Sequence, residues 1–241
     1  MYDQMEVRRG IADLIVASDE PLSGAWGEYY EYKDRAEPGT PRGYAIPALK
    51  RELAYRGFGN GLDTESLFFG AAARDRTKEF QVAYKIGLRA DGTPTGVIAS
   101  GTARKLFKKR IWEAGHRTGA PSLWLCRQIN LESGFDPAAV GNVDPRDRGL
   151  AQINSFWHPT VSDAEAFDPV FSINWAADYL AGNIAALGDV EAGVAAHNVG
   201  RFYARSWLSK GKPVSGLFTA EGRDYAAIIT RYLMLVKGRE C

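Results

Sequence analysis

The stretch NLESGFDP, residues 130–137, decides how the rest of the chain is read. Just upstream, SLWLCRQINL (residues 122–131) is strongly apolar and reads as a helix, which Gly134 stops. A carboxylate, Glu132, therefore falls in the last turn of an apolar helix. The C-terminal end of a helix carries partial negative charge, so a glutamate there is electrostatically misplaced. Burial against the apolar run disfavours its ionised form a second time. A carboxylic acid kept protonated near neutral pH is what general acid catalysis requires. An isolated Glu-Ser pair ending a surface helix would carry no such meaning. The residues that follow supply it.

Downstream runs AAVGNVDPRDRGLAQINSFW, residues 138–157. Gly, Asn, Pro and Asp dominate as far as Gly149, which predicts a loop or irregular hairpin with exposed carboxylates. Leu150, Ile153 and Trp157 then resume an apolar pattern, with Gln152 and Asn154 between them. Amides inside an apolar run suit a groove that hydrogen-bonds a neutral polar ligand, such as the N-acetyl groups of a sugar polymer. The competing reading is that they satisfy backbone groups. Glu-Ser-Gly-Phe-Asp-Pro followed by Gly-Leu-x-Gln-Ile-Asn resembles the soluble lytic transglycosylase branch of the lysozyme-like superfamily. Further matching pieces follow in order: Phe167-Asp168-Pro169, then Tyr179-Leu180, then Ala196-His197-Asn198-Val199-Gly200, then Tyr225 ahead of Ile228 and Ile229. The likeness covers residues 123–235. It implies Glu132 as catalytic acid, with Ser133, Gln152, Asn154, Asn198 and Tyr225 as substrate-binding residues. Two departures stand out. His197 occupies a position where the family usually has tyrosine, and Ser172 and Ala176 replace a usual Asn and Gly. His197 reads either as a hydrogen-bonded structural histidine or as a functional imidazole.

Asp147-Arg-Gly149-Leu-Ala-Gln-Ile-Asn-Ser155 is also similar to the Asp-Tyr-Gly-x-x-Gln-Ile-Asn-Ser stretch of animal c-type lysozymes. There the aspartate is the second catalytic carboxylate. A Glu132/Asp147 pair would need divergent surroundings, one acid buried and protonated, the other ionised in a wet loop. Asp144 is the fallback. The alternative is that Asp147 only shapes the loop through an Asx-turn.

The N-terminal half carries a different pattern. Ile46, Leu49, Leu53 and Phe58 mark a helical face closed by Gly57, a second helix runs from Ala72 through Gln81, and a third from Thr102 through Leu106. Leu49/Leu53/Gly57, Phe69-Gly70, Phe80-Gln81, Gly87-Leu88, Asp91-Gly92 and Gly101-Thr102 together resemble the small three-helix peptidoglycan-binding domain. The loop that usually carries Asp-Gly reads Leu62-Asp63-Thr64-Glu65 here. A helical spacer is the alternative. Residues 1–40 are the least readable part; Asp19 to Gly43 is rich in Gly, Pro and charge, and its aromatic cluster, Trp26, Tyr29, Tyr30 and Tyr32, is expected to pack on the neighbouring domain, with a partner surface as the alternative.

Global properties narrow the setting. The chain has 241 residues, a hydrophobic content of 45% and a net charge of +1, which suits one or two ordinary globular domains. That charge encodes no strong attraction to nucleic acid or anionic membrane. The basic run Lys105, Lys108, Lys109, Arg110 lacks interleaved aromatics and reads as a solvated helix end. Of the two cysteines, Cys126 reads as a small core residue rather than the partner of Cys241, and no metal-ligand spacing is present. No cofactor is implied. The apolar run at residues 11–17 is broken by Asp13, too short for a membrane span, and lacks a signal-peptide cleavage pattern.

The expected fold is mainly α: a segment of unclear structure (1–40), a three-helix peptidoglycan-binding domain (41–112), a linker (113–120) and a lysozyme-like α(+β) catalytic domain (121–241). The combination resembles a bacteriophage endolysin. It implies a monomer, made in the host cytoplasm, that cleaves the β-1,4 bond between N-acetylmuramic acid and N-acetylglucosamine as lytic transglycosylase or muramidase. The alternatives are a lysin carried in the virion, and a wall-binding structural protein without activity.

Overall fold

A computed structural model of the chain describes residues 30, 31 and 33–241. It is mainly helical, in the order β1 (Asp34–Arg35), α1 (Pro41–Tyr55), β2 (Phe68–Phe69), α2 (Ala71–Tyr84), α3 (Ser100–Thr118), α4 (Ser122–Ser133), α5 (Asp163–Ala166), α6 (Pro169–Leu187), α7 (Val190–Ser209) and α8 (Tyr225–Gly238). The two short strands pair antiparallel, Asp34 opposite Phe69. Of the aromatic cluster, Trp26, Tyr29 and Tyr32 lie outside the described residues. Tyr30 is buried, pairs its backbone with Ile98, and donates its hydroxyl to Asp136 at 2.7 Å.

Helix starts follow local chemistry. Thr40 accepts from the Gly43 amide with proline next in line, and Asp168 accepts from Val170 and Phe171, again ahead of a proline. The Phe-Asp-Pro triplet is thus an N-cap signature. Asp189 and Asp224 cap α7 and α8 in the same way.

The motif pieces of the N-terminal half converge on one node. Gln81 donates to Thr95 Oγ1, Val97 O and Thr102 Oγ1, and its Oε1 accepts from the Gly96 amide. Gly87 has φ 59°, and a Cβ there would lie 2.4 Å from Gln81 Nε2, so glycine lets the backbone approach the node. Around the node Leu49, Leu53, Phe69, Phe80, Leu106 and Phe107 are fully buried. Glu52, buried on α1, takes Arg110 of α3 at 2.8 Å. Burial pushes its carboxyl above the usual range, against the pull of the Arg110 hydrogen bond.

Most of the segment expected as a linker, residues 113–120, is helical. α3 runs through them to Thr118, with Ala114 and Gly115 buried. The same helix packs on α1 at one end and on α4 and α6 further along. The core is correspondingly continuous from Tyr30 to Val236. The Glu113-to-Ala120 stretch looks polar because one face of α3 meets solvent there, while the other is shared between both halves.

The cysteines also differ from expectation: Cys126 and Cys241 form a disulfide, with Cα atoms 5.7 Å apart. It ties the chain's last residue to the middle of α4. Asn130 reinforces this by donating to the Glu240 carbonyl at 2.9 Å, and Arg104 pairs with the Glu240 carboxylate at 2.6 Å.

Candidate active site

Glu132 is the penultimate residue of α4, and Gly134 ends the helix in the left-handed region, φ 60°. Phe135, also left-handed at φ 68°, is fully buried and carries the chain away from the helix axis. Glu132 is itself only 4% exposed. Both burial and the negative end of the helix therefore favour its neutral form. Tyr232 of α8 donates its hydroxyl to Glu132 Oε1 at 2.6 Å, and Gln128, one turn earlier on α4, donates to the Tyr232 oxygen at 2.9 Å. Gln128 also reaches the Val194 carbonyl of α7 at 3.4 Å. His197 of α7 brings Nε2 to 3.3 Å from the same Glu132 oxygen. Three helices thus converge on one buried carboxyl.

From His197 a run of rings leads outward. Tyr179 meets the His197 ring edge-on at 5.9 Å, stacks on Trp175 at 4.9 Å, and both contact His158. Trp175, Tyr179 and His158 are only partly buried. Half-exposed aromatic faces beside a buried acid suit the apolar faces of sugar rings.

The loop after Glu132 is the irregular hairpin expected. Val140 and Arg148 form a bridge, and the Gly149 amide donates to Ala139 O at 2.8 Å. Gly149 has φ 68°, and a Cβ there would lie 1.9 Å from the Ala166 carbonyl, so its glycine is required twice over. Arg148, nearly buried, anchors the hairpin to Asp163 and to the Val161 carbonyl.

The carboxylates of this loop are not exposed as expected. Asp147 is 9% exposed and accepts from Asn154 Nδ2 at 2.8 Å. Asn154 also reaches Asp144 Oδ2 at 3.1 Å, and its own oxygen accepts from the Phe156 amide. Asp144 is chelated by Arg146. Burial pushes the Asp144 carboxyl up, but Arg146, its backbone amide and Asn154 outweigh this and hold it below the usual range. The Gln152 amide nitrogen is committed to the Gly149 carbonyl at 2.9 Å, within a left-handed turn at φ 49°. The amide nitrogens of Gln152 and Asn154 thus brace the loop.

Ser133 is fully buried and returns its hydroxyl to the Ile129 carbonyl at 3.1 Å, a helix-internal bond. Ser172, which replaces a usual Asn, still tethers the loop by accepting from the Ala151 amide. Asn198 is 1% exposed, and neither its amide nitrogen nor its oxygen has a hydrogen-bond partner among the described residues. It lies just before Gly200, where the backbone of α7 breaks from helical geometry. Tyr225 pairs with Ser206 at 2.8 Å and packs on Tyr203. Tyr232, two turns further along α8, is the tyrosine that reaches Glu132.

Residues 111–215 match the family model of the transglycosylase SLT domain. Among curated proteins, none matches the chain. The SLT domain spans Glu132, the Asp147 loop and the His197–Asn198 pair, and indicates lytic transglycosylase activity on peptidoglycan. It begins inside α3, the helix shared by both halves. It ends before α8, so Tyr232 lies outside the matched residues.

Proposed function

We propose that the protein cleaves the β-1,4 bond between N-acetylmuramic acid and N-acetylglucosamine with Glu132 as its one acid and base. The carrying observation is a carboxyl 4% exposed at the C-terminal end of α4 and fixed through Oε1 by Tyr232. Glu132 gives its proton to the glycosidic oxygen as the C1–O bond breaks and the electron pair leaves with that oxygen. The Glu132 carboxylate then takes a proton from the muramic acid C6 hydroxyl, whose oxygen bonds to C1 and forms the anhydro product. The Tyr232 hydroxyl stabilises the carboxylate between the two transfers. Asn198 supports a sugar-binding role: an unsatisfied buried amide costs about 1–3 kcal/mol, and an N-acetyl group would recover it.

The setting proposed is a bacteriophage endolysin whose residues 41–112 bind the wall. The motif set of that unit supports wall binding. The Cys126–Cys241 disulfide supports action beyond the reducing cytoplasm. The test is Glu132→Gln in the full chain. Wall lysis falls by at least about 10²–10⁴-fold, while the variant still sediments with purified peptidoglycan. Retention of more than about a tenth of wild-type lysis would remove Glu132 from the acid's role, since a general acid supplies far more than that.

A further inference from the structure

We infer that His197 shares the catalytic proton of Glu132, so that the acid of this enzyme is a coupled glutamate–histidine pair. The inference rests on the reading of Glu132 given above. His197 Nε2 lies 3.3 Å from Glu132 Oε1, and the two side chains are 6% and 3% exposed. At that separation and burial the two groups cannot titrate independently.

The pair holds two, one or no protons. In the one-proton state either Glu132 is neutral beside neutral imidazole, or an ion pair forms. Burial penalises the ion pair and the 3.3 Å contact favours it, so the proton is shared between it and the neutral arrangement, with the proton on Glu132. The latter is the form that can donate to a glycosidic oxygen. After the donation, Tyr232 and the Nε2–H tautomer of His197 both point at the new carboxylate. Other titratable groups also face the imidazole. Tyr179 of α6 meets its edge, His158 lies one ring further out, and Tyr232 of α8 shares the Glu132 oxygen. On its own helix, Arg201 is turned to Asn183 at 2.6 Å. The carboxylate of Glu132 contacts His197 at 3.3 Å.

The sign of the pH effect follows. The acid is lost only when the last shared proton leaves, and that occurs at a higher pH than either group would show alone. Gln or Tyr at position 197 cannot hold that proton and can only donate a hydrogen bond to the carboxylate, which favours ionisation. The basic limb of turnover therefore moves down by about one pH unit or more in His197→Gln and in His197→Tyr. A histidine with a packing role alone would lower turnover equally at all pH values and leave the limb in place.

The experiment measures kcat across pH for wild type and both variants, alongside thermal melting. A folded variant whose basic limb stays within about 0.3 unit of wild type overturns the proposal, since coupling of this kind exceeds about one unit. Imidazole NMR of the full chain gives a second reading that needs no turnover. The chain has three histidines, so His197 is readily assigned. Its titration midpoint drops when Glu132→Gln removes the carboxylate, and an unchanged midpoint overturns the proposal. Failure of the Glu132 reading is separable, because it shows as an active Glu132→Gln enzyme whatever His197 does.

Discussion

Tyr232→Phe tests the arrangement that the structure adds to the chemistry. The hydroxyl accepts from Gln128 at 2.9 Å and donates to Glu132 at 2.6 Å, and the ring is 1% exposed. Phenylalanine fills the same space, so no cavity opens. What is lost is polar. Gln128, 4% exposed, keeps only its 3.4 Å contact to the Val194 carbonyl. An unsatisfied buried donor costs about 1–3 kcal/mol, and the surviving contact places the expected loss at about 1–2 kcal/mol. For a chain of this size that lowers the melting temperature by roughly 2–8 °C. The catalytic loss is larger. A hydrogen bond to a charged group contributes about 1.5–3 kcal/mol, which corresponds to about 10–200-fold in rate when the charge exists only after proton transfer. The effect belongs in kcat, with KM nearly unchanged. Muropeptide release from purified wall gives kcat and KM, and circular dichroism gives the melt. A folded Tyr232→Phe enzyme with wild-type kcat would refute the role of this hydroxyl. A change confined to KM would make it a substrate contact instead.

Two further outcomes follow. Asp147→Asn keeps the acceptor that Asn154 uses, so turnover falls by less than about threefold and products carry anhydro ends, as expected where no transition-state charge is removed. A collapse in turnover together with reducing-end products would make the enzyme a two-carboxylate hydrolase. Reducing the Cys126–Cys241 bridge, which spans 115 residues, removes about 4–5 kcal/mol and lowers the melting temperature by roughly 10–20 °C. Two thiols titrating in the untreated native chain would refute the bridge.

Local signals in the sequence were legible where local chemistry decides the structure. Gly134 ends α4 as expected, and this alone places Glu132 in its last turn. The three N-terminal helices form where apolar spacing puts them, because each buries one stripe. Long-range pairings were not legible. Tyr232 is separated from Glu132 by 100 positions and has no motif around it, whereas Tyr225 has one and pairs elsewhere. The disulfide is equally non-local, since its connectivity is set by where α8 delivers the C-terminus. The helical character of residues 113–118 was hidden for a different reason. A helix shared between two halves exposes one face and so reads as a polar boundary. The residue types of Gln152 and Asn154 did not reveal that their amide nitrogens bond to the hairpin's own backbone and carboxylates.

The surroundings of the carboxyls decide between one catalytic acid and two. A second carboxylate that stabilises positive charge on the sugar must keep its own charge available. Asp144 has its charge taken up by a bidentate Arg146, and Asp147 is 9% exposed with an amide on Oδ1. Glu132, by contrast, has a phenol and an imidazole beside it. The loop carboxylates stabilise the hairpin, while the surroundings of Glu132 fit the proton exchange proposed for it. A site with one such group needs its nucleophile from elsewhere. An intramolecular hydroxyl on the substrate answers that need with a high effective concentration and no second protein base. The geometry around Asp147, more than the geometry around Glu132, therefore favours transglycosylation over hydrolysis.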